Sequence, residues 1–194
     1  MRVTLPTILT LFRIALLPVM VLVFYAPFRG ANIAAALVFL AAALTDWLDG
    51  FIARRFNLGS AFGAFLDPVA DKLMVAVTLF LLVQSHPTAL LAVTAAVIVG
   101  REIGISALRE WMAELGMRSR VRVAMLGKVK TVMQIVAIVV LLLEHDKEAQ
   151  PLRNWYVGES LLVIAAGLTI WSGLAYLRAA WPYMRDTDHS GESS

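Results

Sequence analysis

Between Asp46 and Asp71 the chain reads DWLDGFIARRFNLGSAFGAFLDPVAD, which sets four carboxylates between the apolar stretches 31–44 and 73–83. A carboxylate at bilayer depth costs roughly 2.5–3.5 kcal/mol on insertion scales, so four are retained only where something compensates them. On a helix Asp46 and Asp49 are i and i+3, and Asp67 and Asp71 are i and i+4, so each pair shares a face. Two helices that turn those faces toward each other build a cage of hard oxygen ligands, the donor type that divalent cations take.

The rest of the chain makes bilayer depth the relevant setting. It has 194 residues, 60% of them hydrophobic and 16% charged, and apolar runs near transmembrane length recur along nearly all of it. The expected fold is therefore all-α, a polytopic membrane protein with six transmembrane helices at about 8–26, 31–55, 61–84, 88–112, 122–144 and 157–180. One domain is expected over 1–184, followed by a disordered polar tail over 185–194 (RDTDHSGESS). The breaks between spans carry Pro27, Gly30, Gly59 and Pro87, the basic residues Arg118 and Arg120, and a polar stretch from Glu144 to Asn154.

With the N-terminus inside, only Arg29, Lys147 and Arg153 of the seventeen lysines and arginines fall on the outer side. This bias puts both termini in the cytoplasm and the aspartates toward the cytoplasmic leaflet, where the site cavity is expected to open. Arg13 interrupts the first apolar run and no small-residue cleavage site follows it, which argues against a cleaved signal peptide. The absence of cysteine excludes disulfides, thiolate metal sites and cysteine nucleophiles. His86, His145 and His189 fall in expected loops or the tail, so a histidine zinc site is not expected. No nucleic-acid partner is expected, because the basic residues line membrane edges rather than one soluble patch.

Gly50, Ala53 and Arg54 stand four, seven and eight residues after Asp46 and continue its helix face. The two small residues let a ligand approach the backbone, and Arg54 offers a fork of donors matched to phosphate. Gly63, four residues before Asp67, does the same on the next helix. Carboxylates for metal, room for a ligand and a phosphate-binding cation point to a nucleotide or diphosphate substrate held through Mg²⁺ or Mn²⁺.

The run Asp46, Asp49-Gly50, Ala53-Arg54, Gly63, Asp67, Asp71 resembles the signature of the CDP-alcohol phosphotransferase family, with every specified position filled. That resemblance implies Asp46, Asp49, Asp67 and Asp71 as ligands of two metal ions, with Asp71 also the general base for the acceptor hydroxyl. It implies a CDP-binding set of Asp49, Gly50, Ala53, Arg54 and Gly63, and a homodimer. It also implies a multi-pass protein of a bacterial-type inner membrane. Pro6 to Arg13, Arg101-Glu102, Ser106 to Arg109, Gly127 to Thr131 and Ser172-Gly173 resemble the branch of that family whose substrates are CDP-diacylglycerol and sn-glycerol 3-phosphate. The rival expectations are another acceptor, such as inositol phosphate, serine or a lipid alcohol, a membrane prenyltransferase, and an ion transporter.

An acceptor bearing a phosphate brings a dianion close to a carboxylate cluster, so cations must stand nearby. Arg101, Arg109, Lys128 and Lys130 are the candidates. Arg101 and Arg109 are eight apart and can share a face, whereas Lys128 and Lys130, two apart, cannot both point inward; Arg109 and Lys128 are favoured. The competing explanation for these cations is snorkelling to lipid headgroups. Glu102 is placed to orient Arg101 or Arg109. Trp47, Trp111, Trp155, Trp171 and Trp181 fall mostly near span ends and read as an interfacial belt, and the small residues at 41–43 and 158–173 suit close helix packing or a dimer seam.

Overall fold

The computed structural model describes residues 5–56, 61–114, 126–144 and 153–190, with side chains described at 7–49, 51–52, 66, 69–113, 130–144 and 155–181. Among the described residues there are six helices and no strand: α1 (Leu5–Tyr25), α2 (Ala31–Phe56), α3 (Ala61–Ser85), α4 (Ala89–Glu114), α5 (Leu126–Leu143) and α6 (Arg153–Ser190). Four of them contain stretches long and apolar enough to cross a membrane, at Thr7–Tyr25, Ala31–Asp49, Ala89–Ala113 and Trp155–Trp181. Their length follows from the bilayer: 26 residues at 1.5 Å per residue extend roughly 39 Å, which exceeds a hydrocarbon core of about 30 Å. With so many apolar runs the outward faces stay greasy, and Leu22, Leu37, Leu44, Phe80, Val93 and Trp171 are each more than half exposed.

The α1–α2 turn closes at Gly30, whose φ of +88° lies where a side chain is strained. Thr88 caps α4, its Oγ1 accepting from Leu91 N–H at 3.1 Å and donating to Glu159 Oε1 of α6 at 3.1 Å. Asn32 Nδ2 donates to the carbonyl of Leu143 at 2.6 Å, which satisfies one orphan acceptor at the end of α5.

Alternating helix direction divides the bundle into two halves. The C-terminal halves of α1 and α3 meet the N-terminal halves of α2, α4 and α6 and the C-terminal half of α5, and this end is solid. Met20, Phe24, Phe39, Leu79, Leu82, Leu91, Ile98, Ile138, Leu141 and Leu162 are buried there in one cluster. Gly158 of α6 belongs to it, since a Cβ at that position would stand 2.9 Å from Leu141 Cγ. The other end holds a small cluster of Met112, Tyr176 and Ala180 between α4 and α6, and beside it an open cavity. Helices α1 to α5 line that cavity, while α6 packs behind α4 and α5.

Two expectations change. Helix α6 runs on to Ser190, so residues 185–190 of the expected disordered tail are helical; once a long helix exists, each added residue costs little. Residues 191–194 lie outside the described ones. Trp47, Trp111, Trp171 and Trp181 are exposed as a belt requires, but Trp155 is buried, its ring stacked on His86 with centroids 3.9 Å apart.

Candidate active site

The cavity has a volume of about 1130 Å³, large enough for a nucleotide together with a small acceptor. It exists because the C-terminal ends of α2 and α4 and the N-terminal ends of α3 and α5 carry charge where the opposite ends carry leucine. Asp46 and Asp71 supply its acidic side; Arg101, Arg109 and Lys130 supply its basic side. The floor is apolar and made by Phe39, Ala42, Val99 and Ile138.

On the acidic side the i, i+3 spacing acts as expected, and both Asp46 and Asp49 reach one cation. That cation is Arg13 of α1, whose side chain is 1% exposed. Its Nη1 lies 2.8 Å from Asp46 Oδ1, and its Nη2 donates to Asp49 Oδ2. Asp49 is buried by this pairing, whereas Asp46 stays 44% exposed toward the cavity. Asp71, on the facing helix, is exposed and lines the same cavity. Its neighbour Lys72 donates to Ser106 Oγ, tying α3 to α4 just beside the carboxylate.

Asp67 stands one helical turn before Asp71 on α3 and shares its face, but its side chain lies outside the described residues. The same holds for Gly50, Ala53 and Arg54 on α2 and Gly63 on α3. Among the described residues no three acidic, histidine or cysteine side chains form a metal-holding group, and Arg13 supplies the countercharge to Asp46 and Asp49.

On the basic side the structure brings together Arg101 and Arg109 of α4 with Lys130 of α5. Lys130 is 5% exposed and lines the cavity, so of the two alternating lysines it is Lys130 that is seen facing inward; the Lys128 side chain lies outside the described residues. Glu102 organises this side. Its Oε1 accepts from Lys130 Nζ at 2.6 Å and lies 3.7 Å from Arg101 Nη1, so its partners are Lys130 and Arg101. Arg101 is also bound from behind, its Nη2 donating to Ser172 Oγ of α6 at 2.7 Å.

Sequence reasoning did not place Arg13 or Lys72 in the site. For Arg13 a signal was present: an arginine inside an apolar span needs a partner of opposite charge, and four aspartates were the candidates. Lys72 gave no such signal, since next to Asp71 it reads equally well as a headgroup contact.

Comparison with known proteins bears on this geometry. Residues 3–171 match the family model described as CDP-alcohol phosphatidyltransferase. A protein of Shigella flexneri serotype 5b (strain 8401) named CDP-diacylglycerol--glycerol-3-phosphate 3-phosphatidyltransferase is 52% identical over 180 residues, covering 93% of this chain and 96% of its own length. A protein of the same name from Pseudomonas fluorescens is 51% identical over 183 residues, covering 93% of this chain and 91% of its own. Another from Salmonella choleraesuis (strain SC-B67) is 51% identical over 180 residues, with coverage of 93% and 96%.

Proposed function

Because the chain belongs to the CDP-alcohol phosphatidyltransferase family, we propose that it transfers the phosphatidyl group of CDP-diacylglycerol to sn-glycerol 3-phosphate and releases CMP. The observation that carries this reading is a single cavity with carboxylates on one side and three cations on the other. Such a cavity has a place for a diphosphate and a separate place for a second phosphate. Arg101, Arg109 and Lys130 hold the acceptor's phosphate dianion, which leaves its 1-hydroxyl free to reach the acidic side.

Asp71 accepts the proton of that hydroxyl. The oxygen then forms a bond to the phosphorus that carries the diacylglycerol, and the bond from that phosphorus to the bridging oxygen breaks in line. CMP departs with the bonding pair. Both substrates are held in one cavity, so no covalent enzyme intermediate is required.

The donor set fits a hard divalent cation: Asp46 and Asp71 open oxygen ligands into the same cavity, and Asp49 shares the Asp46 face. Asp46, Asp49, Asp67 and Asp71 would hold Mg²⁺ or Mn²⁺, two ions in this reading. When bound, such ions supply countercharge to the diphosphate and to the departing CMP. Arg54, with Gly50, Ala53 and Gly63 around it, would take the CDP portion.

The same proposal sets six crossings of a bacterial inner membrane with both termini cytoplasmic. Acyl chains then remain in lipid while glycerol 3-phosphate enters from water. A homodimer belongs to this reading and is testable by crosslinking in native membranes. The deciding experiment is CMP release by purified protein from CDP-diacylglycerol with glycerol 3-phosphate, serine or inositol phosphate as the varied acceptor. Saturable release is expected with glycerol 3-phosphate alone, silenced by chelation and restored by Mg²⁺ or Mn²⁺. Turnover with serine or inositol phosphate in its place would overturn the acceptor assignment.

A further inference from the structure

Among the described residues, none that lines the cavity belongs to α6, yet two adjacent residues on it contact one of the cavity's cations. Ser172 Oγ donates to the carbonyl of Thr169 at 3.1 Å, which commits its hydrogen and leaves its lone pairs free. It therefore accepts from Arg101 Nη2, at 2.7 Å. Gly173 provides the space. A Cβ there would lie 3.3 Å from both Cγ and Nε of Arg101 and 3.8 Å from Ile105 Cδ1, so a larger residue would push the arginine stem away from α6 by a few tenths of an ångström. Among the described residues the Nε–H of Arg101 is buried beside Gly173 without a hydrogen-bond partner, so it is Nη1, 3.7 Å from Glu102 Oε1, that is left for a ligand. A guanidinium held on its Nη2 side by α6 keeps Nη1 for a ligand on its other side.

We propose that Ser172 and Gly173 are positioning residues for the acceptor phosphate: they seat Arg101 so that its Nη1 faces the phosphate of a small, water-soluble phosphomonoester. This rests on the acceptor reading above and adds to it a specificity role for a helix that supplies none of the described cavity-lining residues.

The test uses the full chain in detergent or proteoliposomes, with steady-state CMP release measured while each substrate is varied in turn. Gly173→Ala should raise the KM for glycerol 3-phosphate on the order of tenfold, because a methyl group displaces the stem and misdirects charge-assisted bonds. Its kcat should change by less than about twofold and its KM for CDP-diacylglycerol should hold, the pattern of lost acceptor binding. Ser172→Ala should shift the same constant in the same direction, and Ser172→Thr, which keeps the hydroxyl, should restore it. An unchanged acceptor KM in both Gly173→Ala and Ser172→Ala, an equal rise for both substrates, or a loss confined to kcat would overturn the role. Should Gly173→Ala fail to fold, the Ser172 pair decides the matter by itself. Wild-type protein that releases no CMP with glycerol 3-phosphate would sink the acceptor reading, whereas active wild type with unaffected variants sinks only the positioning role.

Discussion

Arg13 is the residue on which the acidic side balances. Its guanidinium is buried and neutralises two carboxylates three residues apart, so truncation leaves buried Asp49 without this cation, beside a half-exposed Asp46 of like charge. Arg13→Met should cost about 3–5 kcal/mol, the range for breaking a buried ion pair by removing one partner. Thermal unfolding in detergent checks this, and added Mg²⁺ should recover part of the loss, since a divalent ion can replace the missing charge. Asp71→Asn tests a different property. With the proposed base removed and the shape kept, kcat should fall by about 10²–10⁴, the usual contribution of general base catalysis, while binding of CDP-diacylglycerol persists. Wild-type turnover in that variant would remove Asp71 from the proton step.

At the level of helices, the division of labour between glycines on α6 makes a paired prediction. Gly158 faces Leu141, which is fully buried and has nowhere to move, so Gly158→Ala should destabilise by about 1–3 kcal/mol through overpacking. Gly167 has no atom within 4 Å of its would-be Cβ, and Gly167→Ala should leave the melting temperature unchanged or raise it slightly, as alanine is the better helix former by about 0.5–1 kcal/mol. The sequence showed both as small residues suited to close packing, and could not say which neighbour each would meet. The helices themselves were legible because bilayer-length apolar runs separated by Pro27, Gly30 and Pro87 leave few alternatives. The acidic side was legible for a related reason, since carboxylates in grease must converge. The basic side was less so. Whether Lys128 or Lys130 turns inward depends on the rotation of α5 against α2 and α6, and no local pattern fixes that angle. Arg13 escaped notice because its partners are more than thirty residues away.

For the molecule as a whole, the solid end carries a titratable contact of its own. His86 follows α3, stacks on buried Trp155 and lies beside Ser85, with its Nδ1 3.2 Å from Ser85 Oγ. Burial lowers the imidazole pKa below its ordinary value of 6.5. The neutral ring is thus the form the fold favours, and no penalty exists above that value. As pH falls below about 6.5 the unfolded chain takes up the proton first, so stability declines until the folded pKa is passed, then levels off. Melting temperatures measured from pH 8 to pH 5 should show this decline, and His86→Phe, which keeps a ring against Trp155, should flatten His86's share of it. No change in slope on that substitution would assign the pH dependence to other groups.

The separation of a close-packed leucine-rich end from a charged, hollow one means that rigidity and chemistry draw on different side chains. A change of partner molecule would then require exchanging only a handful of groups around the hollow, on a frame that need not be rebuilt. One architecture could in this way serve many headgroups, each version inheriting its firmness from the end that never meets a substrate.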